Sequence, residues 1–337
     1  MEKRRFVEDI FILRMKFPLA WIVSLLTMIS SCSFPIGDDL KCKEYKVVER
    51  LTEYPDSSFF SAITHMECHD DILFLLDKKR GDVVSINEEF STFKVEAVRS
   101  EKDLLMPTSF TVWKDTMYLC DEASINPLKM YVGGSMIDNF PLEKCNEKHL
   151  AVTKDFVYLS FPTDTSCYVK IHRNKIGDWN YKGEVVAGND GKKISILNEK
   201  HLFCNEKFLY AVSENFPYID KYDLESDTLV ERLDLSEVPI IKENLKFIER
   251  NSTEAHSYYV YIEDAYLYSD TLYLLCATLG NEYSCNTLLE IDLSDEQMRP
   301  VSYCKLPDRN YTSIAFSGRF LYAACNGLNC AIEKIEF

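Results

Sequence analysis

The sequence predicts an all-β fold: a six-bladed β-propeller of four-stranded antiparallel blades, its ring closed by an N-terminal strand in the last blade. Three observations predict it. A polar turn, an apolar residue and then an aromatic one recur six times, with the aromatic at Phe74, Tyr118, Tyr158, Tyr210, Tyr273 and Tyr322. The intervals of 44, 40, 52, 63 and 49 residues suit one four-stranded blade per repeat. The pentapeptide Asn-Glu-Lys-His-Leu stands at 146–150 and again at 198–202, the same offset that separates Tyr158 from Tyr210. Finally, Tyr and Phe number 20 each against 11 Gly, without long helical periodicity, which favours strands.

The elements follow in order. Arg14 and Lys16 precede an apolar stretch, 19–26, too short for a bilayer core that takes roughly 20 residues, so it reads as a secretory leader. Glu2, Glu8 and Asp9 suit such a leader poorly, which makes Met15 a more natural start than Met1. The stretch runs into Ile29-Ser30-Ser31-Cys32, small residues before a cysteine as in the bacterial lipobox. Residues 1–31 are therefore expected to be a signal peptide, Cys32 the lipidation site, 32–44 a lipid-anchored tether and 45–337 the propeller.

In the first repeat an inner strand is expected over 65–69, a turn at Asp70-Asp71, and further strands over 72–76, 83–86 and 93–98. Later third strands fall at 129–131, 168–172, 219–222, 288–291 and 332–335. Outer strands fall at 136–141, 183–186, 229–235 and 301–306. The sixth repeat reaches Phe337 without an outer strand, and 45–51 is the segment that would supply it and cover two sheet edges. Two insertions break the period: 187–196, and 237–257 with a helical turn or two over 242–250.

Counting back nine residues from each aromatic gives His65, Ser109, His149, His201, Asp264 and Ser313. All six are polar, and three of the six histidines of the chain share this phase. Residues at one phase of every inner strand form a ring around the propeller axis, so these six are the expected axial ligand-binding set. Imidazoles with a carboxylate suit a divalent transition metal, and with the serine hydroxyls they suit a polar ligand. A water-filled channel would also tolerate polar residues there. Asp residues at the repeat turns have a local backbone role instead, and no catalytic residue is assigned.

Composition and motifs exclude several classes. A net charge of −16 disfavours nucleic acid and anionic membrane surfaces as partners. There is no Gly-rich phosphate loop, no nucleophile elbow and no CxxC pair. Of 12 cysteines, assigning Cys32 to lipid leaves an odd number. Cys276 with Cys285, and Cys325 with Cys330, are candidate disulfides across a strand connection; the alternative is that they pack as small buried hydrophobes, as Cys68 and Cys204 do at one equivalent position.

Ile29-Ser30-Ser31-Cys32, together with the closing phrase Asp308-Arg309-Asn310-Tyr311-Thr312-Ser313-Ile314-Ala315 through Phe320-Leu321-Tyr322-Ala323, resembles the TolB-like six-bladed β-propeller lipoproteins of Bacteroides-type bacteria. The resemblance spans the mature chain and implies an outer-membrane lipoprotein of the cell envelope, facing the periplasm or the cell surface. In surface-exported members acidic residues often follow the lipidated cysteine closely; here Asp38-Asp39 come late. The leading expectation is a non-enzymatic binding module, held at a membrane by its lipid anchor and engaging an envelope protein or glycan. The alternative is a metal-dependent lactonase- or lyase-like enzyme with an axial site. Fold alone does not choose between them.

Overall fold

The turns that punctuate the sequence become the corners of six twisted sheets. The computed structural model describes residues 40–100, 104–142, 149–175, 177–186, 197–251, 259–279, 283–307, 309–327 and 330–337. The leader and Cys32 lie outside these residues, as do the insertion at 187–196 and most of the first copy of the pentapeptide.

Two short strands come first, β1 (Lys41–Lys43) and β2 (Lys46–Leu51). Blade one is β3 (Ile63–His69), β4 (Ile72–Asp77), β5 (Asp82–Asn87) and β6 (Phe93–Ala97). Blade two is β7 (Pro107–Trp113), β8 (Thr116–Asp121), β9 (Leu128–Val132) and β10 (Ser135–Phe140). Blade three is β11 (Ala151–Val152), β12 (Phe156–Ser160), β13 (Tyr168–His172) and β14 (Trp179–Lys182). Blade four is β15 (Lys200–Cys204), β16 (Phe208–Ser213), β17 (Tyr218–Asp223) and β18 (Leu229–Asp234). After helix α1 (Pro239–Asn251) comes blade five, with β19 (Ile262–Tyr268), β20 (Thr271–Leu279), β21 (Tyr283–Asp292) and β22 (Arg299–Lys305). Blade six is β23 (Tyr311–Ser317), β24 (Phe320–Cys325) and β25 (Ala331–Glu336), completed by β2.

The ring closes as the sequence predicts. β2 pairs antiparallel with β25, Leu51 opposite Ile332 and Lys46 opposite Glu336. The inner strand β3 packs against both β7 and β23, so the first blade meets the last. β1 adds something the sequence did not announce. It joins β22 in parallel as a fifth strand of blade five, with Cys42 opposite Tyr303. Lys43 pairs with the Glu290 carboxylate, to which the Tyr45 hydroxyl also donates. The end of the segment read as a tether is thus a docked strand.

The six aromatics occupy one position on every second strand, where they fill the space between neighbouring blades. Tyr118, Tyr158, Tyr210 and Tyr322 are almost wholly buried. Between blades two and three, Tyr118, Cys120 and Phe140 meet Leu150, Val157 and Ile171. Between three and four, Tyr158 and Tyr168 meet Leu202, Leu209 and Tyr222. Sheets stacked face to face in this way hold the inner strands at fixed angles about the axis. The turn at Asp70-Asp71 has both residues at positive φ, the backbone that a two-residue hairpin needs to match strand twist.

Three expectations need correction. The outer strand of blade three lies at Trp179–Lys182, not at 183–186. Gly183 ends it at φ 80°, where an added Cβ would sit 2.5 Å from the Cys167 sulfur. Helix α1 is longer than the turn or two expected over 242–250; Pro239 suits its first position and Ile241 and Ile248 give it a buried face. Among the described residues no helix is long and apolar enough to cross a membrane. Lastly, Cys276, Cys285, Cys325 and Cys330 are free thiols. Cys276 pairs with Thr287 whereas Cys285 pairs with Ala277 across a bulge, so the two sulfurs are offset instead of opposed. In the other pair, Cys325 faces Ala331, and Cys330 donates to the Asn326 side chain.

Candidate functional site

The inner strands carry a shared irregularity at their starting ends. β3, β7, β19 and β23 each have a register shift spanning the residue before the ring position, at Thr64, Thr108, Glu263 and Thr312. A bulge leaves one residue out of the ladder and re-aims its neighbours, which is why two consecutive side chains of one strand can face one cavity. That cavity, about 130 Å³, is lined by these four residues, by His65, His149, His201 and Asp264 of the ring, and by Lys78.

All six ring positions are buried, but they divide into two groups. His65, His149, His201 and Asp264 converge on the cavity from four blades, whereas Ser109 and Ser313 do not line it. Ser313 is a joint between blades: its hydroxyl oxygen accepts the Met66 amide at 3.0 Å. Asp264 joins blades too, its Oδ2 accepting the Ile314 amide at 2.8 Å. Across the axis its Oδ1 lies 2.7 Å from Nε2 of His149 and 3.7 Å from Nδ1 of His201. The His149 ring centre is 4.0 Å from that of His65 and 5.6 Å from that of His201. One donor atom each from His149, His201 and Asp264 falls within 4.8 Å of the others. Four side chains expected only to share a phase therefore share a place.

The electrostatics follow from burial. Burial would push the Asp264 carboxyl up, yet attraction and hydrogen bonding from His149, with further help from His201 and His65, hold it at about 2. It is an anion in a dry setting, stabilised by imidazoles. Burial pushes His65 the other way, below its ordinary value, and repulsion from His149 adds to this, outweighing the pull of Glu67 and Asp264.

One site residue escaped sequence reasoning. Glu67 lies two positions after His65, so the period of the strand returns it to the channel. Its Oε1 is 3.7 Å from Nε2 of His65 and 3.9 Å from Nδ1 of His149. The signal was available, because the same position in the other blades holds Thr111, Ala151, Phe203, Tyr266 and Ala315, none of them acidic. A second cavity of about 700 Å³ opens at the same end of the blades, between α1 and the β16–β17 connection. Phe216, Tyr218, Tyr259, Tyr261 and Arg232 line it.

No sequence profile of a known family matches the chain, and no curated protein matches it. Solved structures do. A Bacteroides fragilis protein described as exported is 11% identical with a TM-score of 0.57, over 90% of this chain and 99% of its own. A DUF4221-family member from Bacteroides vulgatus is 9% identical with a TM-score of 0.56, over 87% and 97%. A chain of the mitotic checkpoint complex is 10% identical with a TM-score of 0.51, over 87% and 92%. At these identities the likeness shows the propeller fold alone, and any chemistry has to be read from the axial residues.

Proposed function

We propose that this chain is an exported, lipid-anchored envelope propeller of the TolB-like kind, acting as a binding module whose ligand engages the axial cavity. The observation that carries this reading is the convergence of His65, His149, His201 and Asp264 in one buried polar cavity. A volume of about 130 Å³ admits an ion with a few waters or a small polar group. An envelope protein or glycan would meet the rim, where the larger aromatic-lined cavity opens. Export is supported by the leader-like stretch before Cys32 and by the Bacteroides protein described as exported, whose fold is similar. A lactonase- or lyase-like reaction is favoured by one feature, the closeness of His149, His201 and Asp264 beside an opening to solvent.

Native mass spectrometry of the chain isolated from its own envelope tests the binding reading. The parent should carry a bound mass that a His149→Ala, His201→Ala double variant lacks. Identical spectra from both would remove axial binding. Labelling with radioactive palmitate tests the anchor separately: the label should be lost in Cys32→Ala.

A further inference from the structure

We infer that the axial site is a metal centre, in which a divalent first-row transition ion such as zinc is held by Nε2 of His65, Nδ1 of His149 and Oε1 of Glu67, while Asp264 orients His149 from its other side. The inference rests on the reading above that the axial cavity is the working site.

The argument begins at Asp264. Both of its oxygens are engaged, Oδ2 with the Ile314 amide and Oδ1 with His149 Nε2 at 2.7 Å. The second distance is that of a hydrogen bond. It is shorter than the roughly 3.3 Å that separates two ligands of a four-coordinate ion with bonds of about 2.0–2.1 Å. A carboxylate accepts, so Nε2 of His149 carries a proton, and when the ring is neutral its Nδ1 is the nitrogen that keeps a lone pair. A carboxylate behind a histidine, fixing its tautomer and raising its basicity, is the usual support of a metal-bound imidazole.

Nδ1 of His149 faces Glu67 Oε1 at 3.9 Å, beyond hydrogen-bond length. Nε2 of His65 faces the same oxygen at 3.7 Å and is buried without a hydrogen-bond partner. One donor atom from each of the three residues lies within 4.8 Å of the others. Glu67 is held for the purpose, because its other oxygen accepts the Val112 amide at 2.8 Å and leaves Oε1 turned inward. A carboxylate oxygen and two ring nitrogens gathered this closely in a buried place repel one another unless a proton or a metal ion lies among them. A cation there resolves this, and the two separations to Glu67 Oε1, 3.7 and 3.9 Å, would contract by about 0.4–0.6 Å to reach the tetrahedral spacing. His65 and His149 also line the cavity, which gives an ion its route in. Two imidazoles and one carboxylate favour zinc, iron(II), cobalt or nickel over magnesium or calcium. The competing set of His149, His201 and Asp264 would first have to break the 2.7 Å contact.

The full-length chain, purified in mild detergent and stripped with chelator, should bind one equivalent of zinc by calorimetry. Cobalt(II) in its place should give the visible absorption of a four- or five-coordinate ion. Glu67→Gln keeps an oxygen for the Val112 amide and should bind zinc about 100-fold more weakly or worse; Asp264→Asn should weaken it by about 10- to 100-fold. His201→Ala should weaken it less than Glu67→Gln does. Circular dichroism in excess chelator checks that each variant folds. Failure of the parent to bind zinc would overturn the metal centre, and so would a larger loss in His201→Ala than in Glu67→Gln, which would move the ion to the competing set. An organic bound mass in the native spectra with no zinc binding would remove the metal centre and leave the binding module. Zinc binding with no bound mass from the envelope would do the reverse.

Discussion

Replacing Asp121 by alanine tests how the blades are latched at the end that carries the axial cavity. Asp121 closes β8 with a wholly buried carboxylate 2.8 Å from Nζ of Lys129, whose side chain is itself 5% exposed. It also accepts the backbone amides of Leu105 and Met106, at 3.0 and 2.7 Å, in the segment entering blade two. Removing one partner of a buried ion pair costs about 3–5 kcal/mol, because the other charge stays in a dry place. The two amides belong to residues whose side chains are exposed, so water can replace the carboxylate there at about 0.5–1 kcal/mol each. Asp121→Ala should therefore lose about 5 kcal/mol. Adding Lys129→Met removes the ammonium that has lost the Asp121 carboxylate and keeps its length, so the double variant should recover about 2–3 kcal/mol of this. Equilibrium urea unfolding, followed by tryptophan fluorescence and circular dichroism, reads both numbers. A single variant within 1 kcal/mol of the parent, or a double variant less stable than the single, would refute the reasoning.

Other outcomes follow from the same structure. In metal-free protein the His65 ring stays neutral below its ordinary pKa of 6.5 while the unfolded chain takes up a proton. Its contribution is complete above pH 6.5 and falls on acidification, so the parent should lose more melting temperature between pH 7.5 and 5 than His65→Gln; equal losses would contradict this. Asp264, held at about 2 against 3.8, contributes stability that is present above about pH 4 and lost as pH falls toward 2. Gly183→Ala should lower the urea midpoint by the equivalent of about 2 kcal/mol or more, since its Cβ would lie 2.7 Å from the Tyr168 ring at a positive φ; an unchanged midpoint would refute the close packing. A thiol reagent should label exposed Cys42 in the native chain and reach Cys276, whose thiol burial pushes up to about 12, only after unfolding. Peptide mapping that found a Cys276–Cys285 bridge would overturn the free-thiol assignment.

Where a residue type repeats at a fixed phase, the architecture could be read directly. The aromatics marked the second strand of every blade, and counting back from them found the start of every inner strand. The outer strand of blade three was misplaced by four residues, drawn by the β-branched pair Val185-Val186 past the true strand at Trp179–Lys182. What ends the strand is the Gly183 backbone and the crowding by Cys167, which depend on a neighbouring strand. The latch was hidden by substitution. Asp77 and Asp121 stand three residues after their aromatics, and the same position holds Ser213, Cys276 and Cys325 in other blades. Only the structure shows Asp77 accepting the amides of Ser61 and Ala62 as Asp121 accepts those of Leu105 and Met106. Glu67 was lost because the phase was followed for one position alone, whereas a strand returns to the same face at the second residue. Convergence itself could not be read from phase. A ring of six positions has a width, and the bulges let Thr64 with His65 and Glu263 with Asp264 share the cavity, whereas at Thr108 and Thr312 the bulge residue alone lines it.

The N-terminal clasp also sets an order of events in time. β1 belongs to blade five and β2 to blade six, so one short stretch of chain stitches two neighbouring sheets together, with residue 46 meeting residue 336. These pairings join segments far apart along the chain, and contacts of that kind form late and slowly. A polypeptide that emerges amino end first presents β1 and β2 long before β22 and β25 exist to receive them. Until the last strands arrive, the edges of blades five and six are open templates for a strand from another molecule. The step that completes the ring is therefore also the step that protects the chain from association, and a substitution weakening the clasp would show first as aggregation during production, before any change in the finished protein.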